Sequence, residues 1–132
     1  MENWYNHAII YQIYPKSFQD SNGDGIGDLP GIIQRIPYLK TLGINTVWLN
    51  PVFTSPLVDN GHDVANYYAI DPDVGTMADM DALIKALHDA GTHLLFDFVM
   101  IHTSDQDPWF QDAIKHLGSL YLDYYIFVVD HD

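Results

Sequence analysis

Thr46-Val47-Trp48-Leu49-Asn50-Pro51 decides the fold. A β-branched, aromatic and aliphatic run that proline stops reads as a strand apolar on both sides, the mark of a parallel sheet covered by helices. Working outward, Asp28 is placed to cap a helix with Ile32, Ile33, Ile36, Leu39 and Leu42 on one stripe, closed by Gly43. Before it, Ala8-Ile9-Ile10-Tyr11-Gln12-Ile13-Tyr14 reads as a first buried strand ending at Pro15. On the other side, Thr76 and Asp79 form a capping box for a second helix that buries Met80, Leu83, Ile84 and Leu87 and stops at Gly91. Leu94 to Met100 is the third strand. The order β-α-β-α-β predicts parallel strands joined by helices.

A generic parallel α/β domain fits this order. Two features favour a barrel. No glycine-rich phosphate turn follows the first strand; an acidic loop does. The connection from Val52 to Gly75 is long, polar and aromatic, and such loops in compact domains are usually functional. In a (β/α)₈ barrel they stand at the C-terminal ends of the strands, where active sites lie.

The acidic loop reads Asp20-Ser-Asn-Gly-Asp-Gly-Ile-Gly-Asp28. Oxygen side chains alternate, Gly25 allows a sharp turn, and Ile26 follows with a backbone carbonyl. This is the ligand order of an EF-hand loop through its ninth position, and it predicts a structural Ca²⁺ held by Asp20, Asn22, Asp24, the Ile26 carbonyl and Asp28. Gly31 stands at the twelfth position, where the bidentate glutamate belongs. A plain Asx-turn loop capped by Asp28 is the competing reading.

Composition narrows the partners. Eighteen acids oppose five Lys and Arg, a net charge of −13, which disfavours nucleic acid and anionic membranes and suits a neutral sugar or a cation. The 48% hydrophobic content supports a core, and without cysteine no disulfide or thiolate site exists. Met1-Glu2-Asn3-Trp4-Tyr5 lacks a basic leader, so the expected location is cytoplasmic, with no membrane span.

Polar residues collect where the strands end: Asp59-Asn-Gly-His-Asp63 in the long loop, Asp97 in the third strand, and His102-Thr-Ser-Asp105 after it. Together with Tyr11-Gln-Ile-Tyr-Pro-Lys-Ser-Phe18, the acidic loop and Val47-Trp-Leu-Asn-Pro51, these motifs resemble the oligo-1,6-glucosidase and dextran glucosidase group of the α-amylase superfamily, glycoside hydrolase family 13. Val64-Ala-Asn-Tyr-Tyr-Ala-Ile-Asp-Pro72 is also similar to trehalose-6-phosphate hydrolases.

The resemblance implies the N-terminal part of a (β/α)₈ TIM barrel over residues 1–104, with residues 105–132 opening a small domain inserted after the third strand. It implies retaining hydrolysis of α-glucosidic, chiefly α-1,6, bonds in short oligosaccharides. Asp59, His62 and His102 would bind the sugar, Asp97 would support the site, and calcium would occupy the acidic loop. No catalytic nucleophile or acid/base falls within the chain, so it is expected to be inactive alone. A trehalose-6-phosphate hydrolase fragment and a non-catalytic carbohydrate- or calcium-binding remnant are the alternatives. An exposed barrel edge would favour self-association. The chain departs from the group's pattern at His62, where a tyrosine platform is expected, at Ile101, where asparagine is expected, at Pro37 inside the first helix, and at Phe127-Val128-Val129.

Overall fold

The computed structural model describes residues 3–128, so Met1, Glu2 and positions 129–132 of the expected inserted segment lie outside the described residues. Strands β1 (Ile10–Ile13), β2 (Thr46–Leu49) and β5 (His93–Phe96) form one parallel sheet with β2 in the centre. Ile10, Thr46 and His93 share one register row, and Ile13, Leu49 and Phe96 another. Helix α1 (Leu29–Thr41) joins β1 to β2, and α2 (Met77–Asp89) leads into β5.

The helix signals work as read. The Asp28 side chain accepts the Gly31 N–H, and both halves of the Thr76–Asp79 capping box form. Gly43 and Gly91 end their helices at φ 74° and 68°, values that favour glycine. Pro37 lies on the exposed side of α1, and the helix runs through it unbroken. It has no N–H to give the turn before it, so the helix continues by packing its other face.

That face meets α2 and one side of the sheet. Ile13, Leu29, Ile32, Leu39, Val47, Leu49, Leu83 and Leu87 are almost wholly buried in one cluster. Each such side chain contributes about 1.5–3 kcal/mol by leaving water.

Four features differ from the sequence reading. The sheet is covered on one side only: Trp48 is 39% exposed and shares a register row with Gln12 and Leu95 on the face away from the helices. The first strand is shorter than expected, and Ile9 and Ile10 at its start are exposed. β5 ends at Phe96, because its partner β2 runs out just before Pro51; Asp97 makes one more ladder bond, to the Leu49 carbonyl, and Phe98 to Met100 lie past the strand. The long connection holds an antiparallel hairpin, β3 (Phe53–Thr54) with β4 (Asn66–Ile70), and a third helix, α3 (Pro108–Lys115), follows the sheet.

Candidate functional site

At the C-terminal end of the sheet the chain leaves β1 and β2 side by side. Gln12 donates its amide to Asn50 Oδ1 at 3.0 Å, joining the two strand ends across the floor of a cleft of about 560 Å³. Tyr11, Tyr14, Phe18, Asn60 and His62 line the rest of it.

Asp63 shapes the wall. Its carboxylate accepts the Ser55 hydroxyl at 2.8 Å and the amides of Val58 and Asp59 at 2.9 and 3.0 Å. Burial alone would push its pKa up; these hydrogen bonds more than offset it and hold the carboxyl below the usual aspartate range. Asn60 and Gly61 turn the chain at φ 52° and 100°, delivering His62 toward the sheet. The Asp59 carboxylate makes no hydrogen bond among the described residues, and Asp59 is exposed next to Asn60 of the cleft wall.

His62 connects this loop to the third strand. Nδ1 lies 3.2 Å from the Asp59 carbonyl and Nε2 lies 3.2 Å from Asp97 Oδ2. His102 Nε2 stands 3.0 Å from the His62 carbonyl and must donate there, which leaves His102 Nδ1 for a ligand. The structure thus brings Asp59, His62, Asp97 and His102 into one chain of contacts. Sequence reasoning passed over Gln12, Asn50 and Asp63 as site residues. Asn50 was visible as the polar end of an apolar strand, and Asp63 as the last residue of a motif already singled out.

A second hollow lies beside the first. Tyr67, Tyr68, Phe98, Met100, Trp109 and Tyr124 line it, with His102 at the border. Tyr67 and Trp109 stack at 5.7 Å with planes 8° apart, and the Tyr67 hydroxyl donates to the carbonyls of Val99 and His102. This apolar trough ties α3 to the hairpin and holds few groups able to perform proton transfer. Asp107 caps α3 by accepting the Trp109 amide, and burial pushes its pKa above the ordinary value.

The acidic loop is curled as its glycines require, with Gly23 and Gly25 at φ 85° and 90°. Asp20 accepts the amides of Asn22, Gly23 and Gly25, and the amides of Gly25 and Gly23 lower its pKa most. Asn22 Nδ2 donates to Asp24 Oδ2. Asp28 is buried, one oxygen capping α1 and the other accepting from Ser21. Among the described residues no three His, Cys, Asp or Glu side chains form a ready metal cluster. The loop's donors are a mixed, all-oxygen set, which suits a hard cation. Gly31 explains the missing glutamate: a Cβ there would sit 2.0 Å from the Gln19 carbonyl oxygen.

Comparison with known proteins follows this geometry. A family model for the α-amylase catalytic domain matches residues 12–131. The oligo-1,6-glucosidase of Halalkalibacterium halodurans is 50% identical over 123 residues, 93% of this chain and 22% of that protein. The trehalose-6-phosphate hydrolase of Bacillus subtilis is 46% identical, over the same shares of the two chains. Among solved structures, a Family GH13_31 enzyme has 72% identity and a TM-score of 0.92, covering 95% of this chain and 23% of that one. An isomaltulose synthase mutant of Erwinia rhapontici, solved with D-glucose, has 45% identity and a TM-score of 0.95, covering 100% of this chain and 24% of its own. The chain therefore spans about a fifth of the length of the curated relatives it matches. Among the described residues no helix is long and apolar enough to cross a membrane.

Proposed function

The chain belongs to the α-amylase catalytic-domain family, and from that premise we propose that it supplies the substrate-binding N-terminal part of a retaining α-glucosidase barrel acting on short, chiefly α-1,6-linked oligosaccharides. The observation that carries the reading is the convergence of Asp59, His62, Asp97 and His102 at the C-terminal ends of parallel strands, where barrel enzymes bind their substrates. Sugars are neutral and rich in hydroxyls; the cleft offers the aromatic faces of Tyr11, Tyr14 and Phe18, Asp59 next to its wall residue Asn60 has an unengaged carboxylate, and His102, which lines the neighbouring hollow, has a free ring nitrogen. A carboxylate at a rim accepts two sugar hydroxyls at once and selects the chain end of a glucoside.

Retention needs a nucleophile and an acid/base roughly 5 Å apart on opposite sides of the anomeric carbon. Within this reading they come from later strands of the barrel, Asp97 supports the site, and these 132 residues alone bind without turning over. Residues 105–132 would open an inserted small domain, within which Trp109 stacks on Tyr67 of the hairpin. Calcium would be held by Asp20, Asn22, Asp24 and the Ile26 carbonyl, with Asp28 completing the set, and its charge would offset the mutual repulsion of the carboxylates. Cytoplasmic location goes with this reading.

Titration calorimetry of the chain with isomaltose tests it. Weak binding that disappears in Asp59→Ala is expected, with no glucose released. Equal heats in wild type and Asp59→Ala would refute the assignment.

A further inference from the structure

We propose that Gln12 and Asn50 form a receptor for a single sugar hydroxyl, which they engage as donor and acceptor at once. That a glucoside enters the cleft rests on the reading above; the receptor adds the place on the cleft floor where one of its hydroxyls is read.

Gln12 and Asn50 stand at the ends of neighbouring parallel strands, where the sheet holds them rigidly. Ile13 pairs with Leu49 in the ladder, and the Asn50 backbone amide donates to the Ile13 carbonyl at 2.9 Å. The two side chains meet through one hydrogen bond, from Gln12 Nε2 to Asn50 Oδ1 at 3.0 Å. A primary amide carries an NH₂ donor group and a carbonyl acceptor, so that bond leaves Asn50 Nδ2 and Gln12 Oε1 over. Neither atom has a protein partner among the described residues. Asn50 is only 9% exposed, yet among the described residues no buried side-chain nitrogen or oxygen lacks a partner. Its Nδ2 therefore reaches the surface, and the surface that Asn50 borders is the cleft.

A hydroxyl is the group that satisfies both atoms. Its oxygen accepts from Asn50 Nδ2 and its proton goes to Gln12 Oε1, closing a ring with the hydrogen bond already made. In such a ring each bond polarises the next and strengthens it. Turning both amides over gives the same ring with the roles exchanged, so the demand for a group that donates and accepts is a property of the pair. A carboxylate has no proton for the amide oxygen, and an ammonium has no lone pair for the amide nitrogen. The rest of the lining agrees. The chain carries eighteen acids, yet no Asp, Glu, Lys or Arg is among the described residues that line this cleft, and Asp59 stands next to it. A neutral, hydroxyl-bearing ligand is what such a floor selects.

The test follows the side-chain NH₂ signals of Gln12 and Asn50 by NMR in the ¹⁵N-labelled chain. It is titrated with methyl α-glucoside and with a set of singly deoxygenated analogues. The parent sugar should shift both NH₂ groups in a saturable way. One analogue should leave them still while the backbone amides of residues 59–63 continue to move. Gln12→Met and Asn50→Ala should each weaken binding of the parent sugar about 3- to 10-fold, the scale of a single net hydrogen bond, and bind that one analogue as wild type does. Gln12→Met, at an exposed position, decides the matter if Asn50→Ala loses its dispersed spectrum. NH₂ signals that stay still while the amides of residues 59–63 shift, or variants weakened equally for every analogue, would overturn the receptor and leave the glucoside reading standing. No response anywhere from a folded chain would refute the glucoside reading, and the receptor with it.

Discussion

Gly31→Ala tests the account of the acidic loop at a single atom. The new Cβ would lie 2.0 Å from the Gln19 carbonyl oxygen, 2.8 Å from its carbon and 3.0 Å from Asp28 Oδ1. Moving the oxygen out to 3.0 Å, the shortest contact real Cβ atoms show, takes a displacement of about 1 Å. Gln19 cannot retreat freely, because its carbonyl accepts the Asp28 amide at 2.9 Å while Asp28 caps α1 through the Gly31 amide at 2.6 Å. Overpacking costs about 1–3 kcal/mol, and a broken cap adds about 1 kcal/mol. The better helix propensity of alanine returns about 1 kcal/mol. The net expectation is a loss of about 1–3 kcal/mol, read from urea denaturation. Gly118→Ala is the control: nothing lies within 4 Å of a Cβ there, and its effect should stay within about 0.5 kcal/mol. A Gly31→Ala chain that unfolds at the wild-type midpoint would refute the reasoning, and with it the explanation for the absent twelfth-position glutamate.

Asp63→Asn removes the charge from three hydrogen bonds and should cost about 1 kcal/mol after allowance for partial exposure. Because the folded-state pKa of Asp63 is lowered, its contribution is present above the ordinary aspartate pKa and fades as pH falls through the folded value; thermal melts of the variant should lose part of the wild-type acid sensitivity. Calorimetry with Ca²⁺ should show one site in the wild-type chain and none in Asp24→Ala; heats matching buffer in both would remove calcium from the account. Light scattering should give a mass above that of the monomer that rises with concentration, since Trp48 and Leu95 sit on an uncovered sheet face. Trp48→Asp should lower that mass, and a monodisperse wild-type monomer at high concentration would contradict it.

Helices were legible because their signals are local. Asp28, the Thr76–Asp79 box, Gly43 and Gly91 each act within one turn, and all four perform as the sequence suggests. The Asp107-Pro108 pair that starts α3 is a signal of the same kind, an acceptor followed by proline in the first turn, and it went unread. Strand ends were less legible because they depend on partners. Phe98 to Met100 have every strand propensity, yet β2 has already stopped at Pro51. The β3–β4 hairpin escaped because β3 has two residues and its pairing carries a register shift. Among site residues, Asp59, His62, Asp97 and His102 stood out as polar groups at strand ends. What joins them did not, since a ring nitrogen facing a carbonyl three residues back and a carboxylate 35 residues on depends on positive φ at Asn60 and Gly61.

The most direct test of the central claim is to locate a bound α-glucoside on the chain by amide chemical-shift mapping. The account predicts that methyl α-glucoside moves the amides of Asp59 to Asp63 and of Asp97 to His102 in a saturable way, and that Asp59→Ala removes the effect. A saturable response confined to the aromatic trough of Tyr67, Tyr68 and Trp109, or no response from a folded chain, would contradict it.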